Sequence, residues 1–266
     1  MTNRIPLLSR WRAVVSLLAG FAVGLSSPAA RAADEVRLLE AVSTQSSYHG
    51  QTWQDVTYLV VVKNLAYDKQ VAIHHKQPDG TWADLALGYF GPAGDGAELW
   101  KATRQYQSWG TDPQPTRDLE FVAKYTVNGQ TYWDNNGGAN YTLGRFDGPL
   151  LTRENVLVAG STWQASGDVD INIDVRNLAY SKSVTVVYST DGWATTNQVS
   201  ASFVPGYTVG YAYVSSPNAQ GVERWFARIP AVTSGALRYY VRYEVNGQTY
   251  WDSNFGYNYP PIYPPL

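Results

Sequence analysis

The stretch Val127-Asn128-Gly129-Gln130-Thr131-Tyr132-Trp133-Asp134 returns unchanged as Val245-Asn246-Gly247-Gln248-Thr249-Tyr250-Trp251-Asp252. In each copy a β-rich run, 119–127 or 237–245, leads into Asn-Gly and a second β-rich run follows. Asn and Gly tolerate the positive φ of a two-residue hairpin turn, so both copies are predicted as antiparallel hairpins. Successive strand residues point to opposite faces. Tyr132 and Tyr250 are therefore expected inward, and Trp133 and Trp251 outward.

Working outward, the repeat extends. Asn64-Leu65-Ala66-Tyr67 recurs as Asn177-Leu178-Ala179-Tyr180, Lys69 and Val71 match Lys182 and Val184, and Asn140-Tyr141 matches Asn258-Tyr259. Collinear blocks with slightly different shifts describe one duplicated unit with altered loops. Val169, Ile171, Ile173 and Val175 alternate with polar residues, as in a half-buried strand, and 56–63 is its more apolar counterpart. Residues 71–75 and 184–188 add further β-rich segments, and no helical stripe of useful length follows residue 32. The fold class is all-β: two antiparallel β-sandwich domains in tandem. The expected division is a first module at 33–143, a Gly- and Pro-bearing linker at 144–149, a second module at 150–260 and a Pro-rich tail at 261–266.

Residues 1–32 stand apart. Arg4, Arg10 and Arg12 precede the apolar run 13–25, and Ala30-Arg31-Ala32 suits signal-peptide cleavage. The expectation is a secreted protein, extracellular or periplasmic. Removing that segment takes four Arg away and leaves 16 basic against 22 acidic residues, a net charge near −6. That sign disfavours nucleic acid and anionic membranes as partners. With no Cys in the chain, stability rests on core burial and sheet hydrogen bonds.

Catalytic signatures are missing from the sequence. His49, His74 and His75 are the only histidines, and the adjacent pair points to opposite faces of a strand. No nucleophile elbow, phosphate loop or zinc spacing occurs, so no catalytic residue, metal or cofactor is expected. Asp134 and Asp252 read as turn-formers. What does recur is Trp, Tyr, Asn and Lys beside turns, among 10 Trp and 20 Tyr. Flat rings cover the C–H face of a sugar, and amides and ammonium groups bond its hydroxyls.

The ordered motifs Asn-Leu-Ala-Tyr-x-Lys-x-Val, Asp-Gly-(x)-Trp and Tyr-Trp-Asp-(Asn/Ser)-Asn, then Asn-Tyr, resemble the family 21 carbohydrate-binding modules. That family includes starch-binding modules of fungal glucoamylases and the glycogen-targeting region of protein phosphatase 1 regulatory subunits. The resemblance implies an immunoglobulin-like sandwich with two aromatic sugar sites per module. One site would use Trp82 and Trp133 in the first module, and Trp193, Tyr240 and Trp251 in the second. Val122 occupies the position of Tyr240, which leaves the first platform a ring short. The other site would centre on Tyr67 with Tyr89 or Phe90, and on Tyr180 with Phe203. Polar positions carried over are Asn64, Lys69, Glu98, Asn136 and Asn140, then Asn177, Lys182, Glu223, Asn254 and Asn258.

Each polar residue also has a structural reading: strand-end Asn as turn-former, Lys as a solvated residue. Trp100 and Trp225 are expected in the core. The implied ligand is an α-1,4-glucan such as starch, glycogen or a maltooligosaccharide, bound without catalysis alongside a separate amylolytic enzyme. Rival readings are a secreted adhesive sandwich, a phosphatase-targeting subunit, whose docking motif is not found in the sequence, and a cryptic glycoside hydrolase.

Overall fold

A computed structural model describes residues 34–110, 113–232 and 236–260. The expected signal peptide and tail lie outside them. The first module runs β1 (Val36–Tyr48), β2 (Gln51–Lys63), β3 (Lys69–Lys76), β4 (Trp82–Ala86), β5 (Gly88–Pro92), β6 (Ala97–Gln107), β7 (Leu119–Val127), β8 (Gln130–Asp134) and β9 (Tyr141–Leu143). Gly148–Leu151, within and just beyond the expected linker, forms β10. One sheet has the order β10-β1-β2-β6-β5, and the other β4-β3-β7-β8 with β9 also on β7. All pairings are antiparallel.

The second module repeats this plan. Its strands are β11 (Val156–Trp163), β12 (Val169–Arg176), β13 (Lys182–Ser189), β14 (Asn197–Ser200), β15 (Ser202–Val204), β16 (Gly206–Val209), β17 (Ala212–Ser215), β18 (Val222–Ile229), β19 (Arg238–Val245) and β20 (Gln248–Asp252). Sheets β11-β12-β18-β15 and β14-β13-β19-β20 face each other, and β16-β17 is an added hairpin.

Each core gathers inward residues from both sheets. Leu38, Tyr58, Val60, Ile73, Phe121 and Tyr125 fill the first; Val169, Ile171, Ile173, Val175, Val186, Tyr239, Val241 and Tyr243 fill the second. Burial of each large apolar side chain contributes about 1.5–3 kcal/mol. Both Asn-Gly turns have positive φ at both residues, Asn128 52° and Gly129 73°, Asn246 53° and Gly247 72°, as a type I′ hairpin requires. The register then fixes Tyr132 opposite Tyr125 and Trp133 opposite Lys124, which packs Tyr132 against the core. Tyr250 likewise packs against the second core, while Trp251 is exposed.

The modules are docked on one another. Gly148 sits at φ +73°, and a Cβ there would meet Val214 Cγ1 at 2.5 Å. Gln220 Nε2 donates to Asp147 Oδ2 at 2.6 Å, and Asn218 Nδ2 to the Pro149 carbonyl at 2.7 Å. Tyr48 stacks on Tyr211 with centroids 5.0 Å apart, and Trp53 meets Tyr211 edge-on. Alternation along β12 predicts an exposed Asp174, but this carboxylate is buried. Arg224 forks onto it at 2.6 and 3.1 Å and itself lies 3.8 Å from the Tyr207 ring centroid. Glu40 approaches from the first module. Burial, with the like charge of Asp174 second, pushes its carboxyl up to about 8.

Candidate functional site

On the second module, β19, β20 and the β13–β14 loop converge three rings. Trp193 stacks on Tyr240 at 5.5 Å and 27°, and Tyr240 meets Trp251 edge-on at 5.6 Å and 61°. The loop holding Trp193 is knit by its own polar groups. Ser189 Oγ accepts the Trp193 N–H at 2.9 Å. Asp191 accepts the backbone N–H and the hydroxyl of Thr195, which hold its carboxyl near 2. Trp193 has φ +73°, a left-handed backbone that a bulky residue adopts only under constraint, at a cost of order 1–3 kcal/mol. The first module has one more residue between Asp-Gly and Trp, Asp79-Gly80-Thr81-Trp82, and delivers its Trp on a regular strand.

The first module also has three rings, which the sequence reading missed. His74 stacks on Trp82 at 5.2 Å and 18° and meets Trp133 edge-on at 5.4 Å and 67°. These are nearly the angles and spacings of Tyr240 with Trp193 and Trp251. The register explains the match: His74 pairs with Val122 across β3 and β7, and Val187 pairs with Tyr240 across β13 and β19. The ring has moved to the facing strand and the small residue has taken its place. Asp84 accepts from His74 Nδ1 and Lys124 Nζ, both at 2.6 Å. A cavity of about 240 Å³ lies among His74, Trp82, Val122, Trp133, Asn135 and Asn140.

A second constellation lies at the opposite sheet's edge. Tyr67 and Tyr180 are fully exposed. Tyr89 pairs with Trp100 as Phe203 pairs with Trp225, and each pair meets edge-on. Tyr89, rather than Phe90, is therefore the counterpart of Phe203. The polar residues form a closed triad beneath. Lys182 Nζ donates to Asn177 Oδ1 at 2.6 Å and Glu223 Oε1 at 2.8 Å, and Trp225 Nε1 donates to Glu223 Oε2 at 3.0 Å. Lys69, Asn64, Glu98 and Trp100 repeat it. Lys69 and Lys182 are only 5% and 3% exposed, so neither is an ordinary solvated lysine. Trp100 and Trp225, expected in the core, are half in it and half in the site. Trp225 lines a cavity of about 740 Å³ with Tyr180, Phe203, Lys182, Glu223 and Pro217.

Comparison with known proteins matches residues 36–144 and 152–260 separately to the carbohydrate/starch-binding module of family 21. The chain belongs to that family. It is 35% identical over 124 residues to glucoamylase 1 of Rhizopus oryzae, covering 41% of this chain and 19% of that protein. It is 34% identical over 91 residues to protein phosphatase 1 regulatory subunit 3E of Rattus norvegicus, covering 34% and 29%. The structure of the starch-binding domain of Rhizopus oryzae glucoamylase, in complex with β-cyclodextrin and maltoheptaose, aligns with 42% of this chain and 97% of that one. Identity there is 27% and the TM-score 0.30. The chain thus spans under a third of the length of these curated relatives.

In both family 21 modules the Asp after the repeated Trp is a clasp, and Asp252 is also the expected turn-former, accepting the Asn254 N–H at 3.1 Å. Buried Asp134 accepts the Leu38 N–H at 2.8 Å and the Tyr141 hydroxyl at 2.9 Å. Asp252 does the same with Val158 and Tyr259, and burial pushes its carboxyl up to about 6. The clasp pins the Trp-bearing strand to the first strand of its module. Beyond it, Asn136 donates to the Asn140 carbonyl at 3.0 Å and Asn254 to that of Asn258 at 3.5 Å. Asn135, rather than Asn136, lines the first module's ring cavity. Among the described residues no cluster could hold a metal ion.

Proposed function

We propose that this protein is secreted and holds α-1,4-glucan chains, such as starch, glycogen or maltooligosaccharides, on the aromatic surfaces of its two modules, without catalysis. One observation carries the reading: the same three-ring geometry stands on both modules although its middle ring comes from different strands. A purely structural use of these rings would not require such a substitution to preserve their angles. Two or three stacked rings, at about 1 kcal/mol each, bind a sugar weakly. Two modules on one polymer raise avidity by roughly 10²–10⁴-fold where both engage together.

The Arg-then-apolar start of the chain supports export. A separate amylolytic enzyme would profit from a protein that holds its substrate. The similarity to phosphatase regulatory subunits favours a second reading, a glycogen-targeting role, and co-purification with the phosphatase catalytic subunit separates the two. The test of binding is migration through native gels containing amylose, glycogen or a cellulose derivative, with a Trp133→Ala/Trp251→Ala variant checked by circular dichroism. Retardation confined to the α-glucans and relieved in the folded variant supports the proposal. Unimpeded migration everywhere, or retardation equal in the variant, overturns it.

A further inference from the structure

Where the modules meet, a cavity of about 370 Å³ lies between Phe90, Gly91 and Pro92 of one and Arg238, Asn254, Tyr257 and Asn258 of the other. That volume falls within the range of about 300–1,000 Å³ usual for small-ligand sites. Asn254 and Asn258 are shared with the first module as Asn136 and Asn140, but other residues in and beside its walls stand where the two modules differ. Phe255 stands where the first module has Gly137, Tyr257 where it has Ala139, and Arg238 where it has Glu120. Phe90 is the extra residue of a β-bulge: Gly91 pairs with Leu99 as Val204 pairs with Arg224, so the second module has no residue in its place. Duplicated units that otherwise repeat their site motifs thus diverge from both sides toward one shared space.

The space is built, not incidental. Phe255 adopts φ +56°, a strained backbone for an aromatic residue, and packs into an apolar cluster of the first module with Leu39, Val61, Ala93 and Leu99. Gly94 admits it, since a Cβ there would lie 2.5 Å from the Phe255 carbonyl oxygen. The first module therefore grips the loop that presents Asn254, Tyr257 and Asn258. Lys101 Nζ lies 5.0 Å from the Phe90 ring centroid and braces it from its own side. Phe90 and Tyr257 nevertheless remain 60% and 54% exposed. Two exposed rings flanked by a guanidinium and amides have the makeup of a sugar subsite: apolar faces for C–H groups and donors for hydroxyls.

Arg238 connects this cavity to the platform. It lies two residues from Tyr240 on the same face of β19, roughly 7 Å along the strand. We propose that the junction cavity is a composite subsite, absent from either module alone, that takes the further glucose units of an α-glucan chain lying on Trp193, Tyr240 and Trp251. The proposal rests on the α-glucan reading given above. It makes the docked arrangement of the modules part of the binding site and sets a preference for longer chains.

The test is calorimetric titration of the whole protein, Phe90→Ala and Tyr257→Ala with maltotriose and with maltoheptaose; Tyr257→Ala introduces the first module's own residue. The expected result is unchanged maltotriose affinity and an approximately fivefold loss for maltoheptaose in both variants. Equal losses for the two ligands, no loss, or a loss in Phe90→Ala alone, which would implicate neighbouring Tyr89, overturns the inference. If the unmodified protein binds neither sugar, the underlying α-glucan reading fails first.

Discussion

Replacing His74 by alanine removes the middle ring of the first module's platform while leaving Trp82 and Trp133 in place. The ring stacks on Trp82 at 5.2 Å and abuts Trp133 at 5.4 Å, so a sugar crossing the platform would lose one of three aromatic contacts. An aromatic contact is worth about 0.5–1.5 kcal/mol, which converts to a loss of affinity of about 2- to 12-fold. Stability should barely move. The His74–Asp84 pair is partly exposed, Asp84 keeps Lys124, and exposed pairs contribute about 0–1 kcal/mol. The assay is titration with maltoheptaose in a background where Tyr67, Tyr180, Trp193 and Trp251 are alanine, which leaves the second platform with Tyr240 alone. Adding Val122→Tyr to His74→Ala returns the ring to the strand that carries it in the second module, and affinity should recover. An unchanged affinity in folded His74→Ala, or no recovery in the double variant, refutes the idea that the ring was exchanged across the strand pair.

Three further outcomes follow from the same geometry. Glu40 titrates higher in the folded protein than its ordinary 4.5, near 8, facing Asp174, Arg224, Lys101 and Asp252. Its contribution is full below about 4.5 and is lost as pH rises toward 8; Glu40→Gln should remove up to about 1.4 kcal/mol per pH unit of that slope in thermal melts across the window. Asp134→Ala orphans the Leu38 N–H and the Tyr141 hydroxyl, and denaturant titration should show a loss of about 2–4 kcal/mol. Trp193→Gly relieves a φ of +73°, so its Tm should not fall below that of the unmodified protein even as maltoheptaose affinity drops.

The strands and hairpins were legible because their signals are local. Val169, Ile171, Ile173 and Val175 alternate with a period of two, and Asn-Gly allows little but a tight turn. The outward Trp251 follows from the same alternation. His74 was not legible, because its exchange with Val122 shows only once register pairs β3 with β7. Lys69 reads as solvated until its partner Glu98, 29 residues away, closes over it. The Asp134 clasp reaches Leu38 across 96 residues, and Asp174 is buried only because other elements cover the outer face of β12. Phe255 and Tyr257 look like ordinary loop variation until the modules are docked. In each case the missing information was a partner distant in the chain.

The 10 tryptophans offer the most direct test of the central claim. Indole N–H signals, assigned by single substitutions, can be followed by NMR as maltoheptaose is added. The account expects shifts at Trp82, Trp133, Trp193, Trp251 and Trp225, with Trp53 at the junction and Trp109, which meets it edge-on at 6.1 Å, unmoved. Maltoheptaose that shifts none of the five, or moves only Trp53 and Trp109, contradicts it.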